Sequence, residues 1–371
     1  MPWKELLSGP LHFTPGHALM MLIGGILLYL AIKKGVEPVL LLPIGLGIIL
    51  ANIPLSGMEE EGGIFYLLKK VGLETEVFPL FIFIGIGAMI DFGPLLERPY
   101  TVLLGAAAQF GIFGTLLVAV ALGFPLNEAA AIGIIGSADG PTSIYVASIL
   151  APEMLGPVAV AAYSYMALVP VIQPPIMRLL TTDAERKIRM PTRAWSVSRT
   201  TKVIFPIVAV VVTGLLAPKA TPLIGMLMFG NLMRESGVVG RLSHTAENEL
   251  VNIVTIFLGL TVGSTMSAAT FLRPDTILIF AMGIVAFSLD TAAGVMFGKA
   301  MCYLSGRRVN PLIGAAGVSA FPMSARVVQK MGLKANPHNH LLMHAVGANT
   351  AGQIASVVAG GTLLALLAGL S

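Results

Sequence analysis

The stretch Ile132–Leu150, IGIIGSADGPTSIYVASIL, decides the fold. It is apolar on both sides, yet Asp139, Gly140 and Pro141 stand at its centre. Pro141 has no N–H, and its ring crowds the carbonyl four residues back, at Ser137. The spacing therefore predicts a broken helix, with the carbonyls of Ser137 and Ala138 released from the helix ladder. In hydrocarbon such carbonyls must face a partner or a cavity. The end of the first half-helix carries a partial negative charge, and Asp139 adds a full one at the same point. A carboxylate within a membrane is costly and marks function. The plainer alternative is a kink, with Asp139 paired or at an interface.

Composition places the whole chain in a membrane. Of 371 residues, 56% are apolar and 11% charged, with a mean hydropathy of +0.86. Soluble domains carry about 25% charged residues. Apolar segments recur from His17–Lys33 to His340–Leu370. A span takes about 20 apolar residues, which predicts an all-α integral membrane protein of about nine to twelve helical passes. The 41 glycines fit closely packed membrane helices. The alternation of a β-barrel is missing. The lone Cys302 excludes an internal disulfide. The first apolar segment ends at Lys33-Lys34 rather than at small residues, so it reads as a retained helix and not a cleaved signal. Basic residues gather in the loop 181–202 and its edge: Arg178, Arg186, Lys187, Arg189, Arg193, Arg199 and Lys202. The positive-inside rule puts this loop in the cytoplasm.

The loop also divides two similar halves. RPYTVLL at Arg98–Leu104 shares Arg, Pro, Thr and Leu with RPDTILI at Arg273–Ile279. The pattern G-x-x-G-x-x-x-x-P-x-S occurs at Gly133, Gly136, Pro141 and Ser143, and again at Gly314, Gly317, Pro322 and Ser324. The expected organisation follows: membrane helices and an amphipathic linker over 1–76, a first repeat over 77–180 with its break at 127–150, connecting helices over 203–249, and a second repeat over 250–371 with its break at 310–328. Transporters with breaks in matching places often use inverted repeats, with the binding site near the midplane. Inverted repeats, each with a Pro-broken helix at the midplane, are therefore expected here.

Two breaks offering carbonyls, hydroxyls and one carboxylate make an oxygen-lined cation site. Oxygen suits a hard cation, and a single firm carboxylate suits Na⁺ or a proton better than a divalent ion. Tyr165 and Asn349 fall opposite each other in the spans after the two breaks, and each offers oxygen; Ser164 and Thr350 neighbour them. Ordinary interhelical hydrogen bonding would explain them equally simply. Asn310, Ser319, Ser324 and Arg326 follow along the second break. Arg326 either snorkels to an interface or faces an arriving anion. Asp91 and Asp290 are further acids near or within spans. No Walker A motif or nucleophile elbow occurs. His340 and His344 are spaced as metal ligands, but no Asp, Glu or Cys stands beside them. The driving energy must come from an ion gradient or another subunit.

At this point whole stretches carry a resemblance. GSADGPTSIYVASILAPEMLGPVAVAAYSYMALVPVIQPPIMRLLTT, GNLMRESGVVGRLS, NPLIGAAGVSAFPMSARV and GANTAGQIASVVAGG resemble the membrane β subunit of the biotin-dependent, sodium-translocating decarboxylases. That family includes the oxaloacetate, methylmalonyl-CoA and glutaconyl-CoA enzymes. The resemblance implies a subunit that decarboxylates carboxybiotin supplied by a partner, moves Na⁺ outward and consumes protons. It implies partners: biotin carrier and carboxyltransferase subunits, and a small membrane subunit of γ or δ type. It also implies a homo-oligomer within the complex, no nucleic acid, and a multi-pass place in a prokaryotic inner membrane. The family's functional positions correspond to Asp139, Tyr165, Asn310, Gly314, Ser319, Arg326 and Asn349. Among these, Asp139, Tyr165, Ser319 and Asn349 are the expected Na⁺ ligands. Asp139, Tyr165, Ser319 and Arg326 are the expected catalytic groups, and Arg326, Asn310 and Gly314 are expected to receive carboxybiotin. The short N-terminus hints at a CoA-ester decarboxylase. The alternative from another class is a stand-alone Na⁺-coupled symporter of a small anion, which would need no biotinylated partner.

Overall fold

A computed structural model describes residues 8–35, 38–191, 197–271 and 274–367. Arg193 of the basic loop, Arg273 of the second R-P-x-T motif and the last residues of the final apolar segment lie outside the described residues. No strand occurs among the described residues. The first half runs through α1 (Pro15–Lys34), α2 (Pro38–Ala51), α3 (Val77–Met89) and α4 (Thr101–Ala121). It continues with α5 (Leu126–Gly133), a 3₁₀ turn (Ile134–Ser137), α6 (Gly140–Leu150) and α7 (Leu155–Leu180). The second half runs through α8 (Arg199–Leu216), α9 (Thr221–Ser236), α10 (Val251–Ser264) and α11 (Pro274–Leu304). A 3₁₀ turn (Pro311–Gly317), α12 (Met323–Ala335) and α13 (Leu342–Leu367) complete it.

By length and composition, five of these helices can cross a membrane, or seven if each of two bent pairs is one span. The expected nine to twelve passes included short and Gly/Pro-interrupted segments among the crossings. Several of those segments are shorter helices, and two fold back on themselves. Position follows from burial. In α1 and α8 only 17% and 11% of the apolar window is buried, against 67% in α13. A helix apolar on all sides but barely covered by protein faces lipid, so α1 and α8 lie at the rim and α13 at the centre.

The halves interlock at two glycine crossings. α2 packs on α10, and α9 packs on α3. A Cβ on Gly47 would stand 2.5 Å from the Leu260 carbonyl, and one on Gly263 2.3 Å from that of Ile44. Across the other pair, a Cβ on Gly230 would stand 1.9 Å from the Ile84 carbonyl. Small residues let membrane helices approach to backbone contact, where dispersion and weak polar contacts replace the hydrophobic drive. α7 carries Pro170, Pro174 and Pro175 and bends by 64° between Met166 and Leu168. Pro170 cannot donate to the carbonyl of Met166, which frees the helix to turn there.

The two breaks are hairpins rather than kinks. Asn127, at the start of α5, donates from Nδ2 to the carbonyl of Leu150 at the end of α6, at 2.9 Å. The segment 127–150 therefore goes in and comes back. Ala138 makes the reversal with φ of 50°, a left-handed backbone that non-glycine residues adopt at a cost. Pro141 sits in the first turn of α6, where its missing N–H has no partner to lose. It starts the second helix and does not interrupt one helix, which corrects the expected continuous broken helix. The second hairpin is closed at its mouth by Asn310 and Asn339, which both donate to the carbonyl of Arg186, at 3.0 and 2.9 Å. The first mouth adjoins the N-terminal end of α7, and the second lies beyond its C-terminal end. The hairpins thus enter from opposite ends of α7. Their tips meet where the N–H of Ser319 donates to the carbonyl of Ser137, at 3.1 Å.

Candidate functional site

At the meeting point the chain has unusual backbone needs, and its side chains meet them. Asp139 is 3% exposed and caps α6, accepting from the N–H of Thr142 at 3.3 Å. Its Oδ2 also accepts from the hydroxyls of Thr142 and Ser356, at 2.6 and 2.7 Å. The carboxylate therefore faces the positive end of a helix, not the negative end that the sequence led us to expect. Such a cap satisfies a backbone N–H that the first turn of α6 would otherwise leave unpaired. The released carbonyl of Ser137 is taken by the other hairpin.

The second tip is held by amides. Carbonyls of its 3₁₀ turn and the strand-like stretch after it would be costly in hydrocarbon if left unpaired. Gln173 of α7 donates to the carbonyl of Ala315 at 3.0 Å, and Gln109 of α4 to that of Gly317 at 3.3 Å. Asn349 of α13 donates to the carbonyl of Val318 at 2.7 Å, and Gln353, one turn on, to that of Ser319. The hydroxyl of Ser319 donates to the carbonyl of Gly352 at 2.7 Å. In each amide the NH₂ is committed to a carbonyl, so the oxygen points away. The four oxygens are buried and accept no hydrogen bond among the described residues.

The structure thus brings Asp139, Ser319 and Asn349 to the two tips. It treats the other expected residues differently. The hydroxyl of Tyr165 donates to the carbonyl of Phe280 on α11, and its ring lies against Gly283. The ring of Tyr163 lies at the first tip, where it occupies the space a Cβ on Gly140 would need; its buried hydroxyl accepts and donates nothing among the described residues. Asn310 is fully spent on backbone: Nδ2 on Arg186 and Ile188, Oδ1 on the N–H of Leu312. Gly314 touches Gly294 of α11, where a Cβ would be 2.0 Å from the carbonyl. Both are framework residues of the second hairpin in this structure. Arg326 is exposed on α12, with no ion pair among the described residues. Asp91 pairs with Lys202 at 3.1 Å, tying the end of α3 to α8. Asp290 is buried against Gly111 of α4 and Gly136 of the first tip.

Thr142, Ser356, Gln353 and Tyr163 were not singled out from the sequence. For two of them a signal existed: Asn349, Gln353 and Ser356 follow at i, i+4 and i+7, one polar face on a largely apolar helix.

A carboxylate and several oxygens gathered at two opposed hairpin tips can take a hard monovalent cation and exchange it against a proton. Comparison with known proteins gives this geometry its context. Residues 16–367 match the family described as "Na+-transporting oxaloacetate decarboxylase beta subunit". The chain is 58% identical over 360 residues to methylmalonyl-CoA decarboxylase subunit beta of Veillonella parvula, covering 97% of this chain and 95% of that one. It is 57% identical to glutaconyl-CoA decarboxylase subunit beta of Acidaminococcus fermentans, covering 98% and 96%. It is 49% identical to the oxaloacetate decarboxylase beta chain of Klebsiella pneumoniae, covering 96% of each. The chain therefore belongs to the family of the beta subunits of Na⁺-transporting decarboxylases.

Proposed function

We propose that this chain is the membrane subunit of a sodium-pumping decarboxylase. It decarboxylates carboxybiotin presented by a partner subunit and couples this to outward Na⁺ transport with proton consumption. The observation that carries the reading is Asp139, a buried carboxylate at the junction of two hairpins that enter from opposite ends of the bundle. Higher identity to the subunits of the CoA-ester enzymes than to an oxaloacetate one supports a CoA-ester donor. Full-length similarity to decarboxylase subunits favours this reading over a stand-alone symporter. The biotin carrier, the carboxyltransferase, the small γ or δ subunit and the homo-oligomeric state belong to the same proposal, as does the prokaryotic inner membrane.

The chain's own residues have distinct tasks. Asp139 holds Na⁺ in one state and a proton in the other, with Ser319 and Asn349 lending oxygen. The exposed Arg326 is suited to orient an incoming carboxylate on the cytoplasmic side. Tyr165 reaches the tips only by leaving Phe280, so a role for it as ligand or acid requires that movement. Carboxybiotin, when bound, supplies a labile carboxylate whose loss as CO₂ must be matched by uptake of a proton. The assembled complex, with carboxybiotin carried on its biotinylated partner, tests the reading. Na⁺-stimulated CO₂ release is expected, and Asp139→Asn is expected to abolish the stimulation. Release that ignores Na⁺, or a variant with the full Na⁺ response, would overturn it.

A further inference from the structure

We propose that Gln353 is a sodium ligand and sets the size selectivity of the site. This rests on the reading of the tips as a Na⁺ site. Gln353 is 3% exposed, and its Nε2 is committed to the carbonyl of Ser319 at the second tip. A planar amide has its oxygen on the other side of the group, so this bond fixes the orientation of Oε1. That oxygen is buried and accepts nothing among the described residues, a costly condition for an amide carbonyl unless a cation or donor completes it.

Gln353 stands between Asn349 and Ser356 on one face of α13. Asn349 repeats the arrangement one turn earlier: NH₂ on the carbonyl of Val318, Oδ1 buried and unpaired. Ser356 lies next along the face, and its hydroxyl reaches Asp139 Oδ2 at 2.7 Å and the backbone carbonyl of Gln353, within the same helix, at 3.0 Å. One face of α13 thus carries the Gln353 amide held at the second tip and the Ser356 hydroxyl held at the carboxylate of the first. A ligand braced by backbone from a second element cannot move freely toward or away from an ion. Rigid placement of neutral oxygens around one carboxylate distinguishes cations by radius, because the site cannot shrink or swell to suit another ion.

Equilibrium Na⁺ and K⁺ titrations of the purified full chain, read by calorimetry without carboxybiotin, test this. The unmodified protein is expected to bind Na⁺, and Asp139→Asn to weaken that binding by at least about tenfold to a hundredfold; failure of either result sinks the underlying site, not Gln353 in particular. Gln353→Met keeps the volume and removes the oxygen, and Na⁺ binding is expected to weaken by about tenfold or more. Gln353→Asn keeps the amide but withdraws it by one carbon, and the Na⁺/K⁺ affinity ratio is expected to fall several-fold. A packing role predicts no change in that ratio. Unchanged Na⁺ affinity in Gln353→Met, or an unchanged ratio in Gln353→Asn, overturns the proposal, and either variant suffices if the other does not fold.

Discussion

Asp139 caps α6 and also holds the hydroxyls of Thr142 and Ser356, so a single carboxylate sustains both local structure and the candidate ion site. Replacing it by Asn leaves one acceptor oxygen and sets an NH₂ against hydroxyls that had been donors. Charged hydrogen bonds contribute about 1.5–3 kcal/mol each, so Asp139→Asn is expected to weaken Na⁺ binding by at least about tenfold to a hundredfold. Membrane insertion should be unaffected. Asn349→Ala removes one neutral oxygen. The Na⁺ concentration for half-maximal activity should rise by about tenfold before the maximal rate falls, and an unchanged Na⁺ curve returns Asn349 to helix packing. If Na⁺ and a proton share Asp139, apparent Na⁺ affinity must fall as pH falls, because the bound proton removes the charge that attracts the ion. Competition of one for one gives a limiting slope of about one decade per pH unit. Na⁺ titrations across pH check this, and a flat affinity separates the proton's route from the ion's. The sequence made Asp139, Ser319 and Asn349 legible because their types and places in the two Gly/Pro patterns are enough to mark them. The direction of Tyr165 was not legible, since a phenol can turn to either side of its helix and packing against Gly283 decides which.

At the scale of elements, Asp139-Gly140-Pro141 announced a break but not its shape. Chain reversal depends on Asn127 meeting Leu150, a contact between residues at opposite ends of the segment that no local pattern encodes. Pro141 is equally compatible with a kink and with the first turn of a new helix. The glycine crossings were legible only as composition, because which helices cross depends on the global path. Gly230→Val places carbon where the Ile84 carbonyl lies, and overpacking of this kind costs about 1–3 kcal/mol. A lower thermal midpoint of the purified variant is expected, against little change for Gly225→Ala, where a Cβ meets open space. Outside the membrane, the short helix Asp183–Arg186 is tied to α11 through Glu185. Burial pushes that carboxyl up, but hydrogen bonds from Thr182 and the Lys299 ammonium outweigh it, and its pKa is lowered. A depressed carboxylate stabilises the fold above its unfolded value, and this contribution is lost as pH falls through the folded value. The gap in thermal midpoint between the unmodified protein and Glu185→Gln should therefore close below about pH 4.3, the ordinary Glu value.

Over the whole molecule, α1, α2 and α10 on one side and α8, α9 and α3 on the other build a frame. The hairpins sit with α4, α7, α11 and α13. Both halves contribute to each group, which suits rocking of one body against the other as a route to alternating access. The meeting of the hairpins has an electrical consequence. α6 has 11 residues, which rise about 16 Å, roughly half of a hydrocarbon core of about 30 Å. If Asp139 is the ion site, as proposed, an ion arriving there from either face crosses about half of the transmembrane field. A full crossing is worth about 2.3 kcal/mol per 100 mV, so half a crossing shifts ion affinity about sevenfold. In proteoliposomes clamped at different potentials, Na⁺ binding from the outer face should show this dependence. Under the proposed function the tips divide the voltage as well as the path, and the membrane potential then opposes outward sodium transport in two smaller steps instead of one large one.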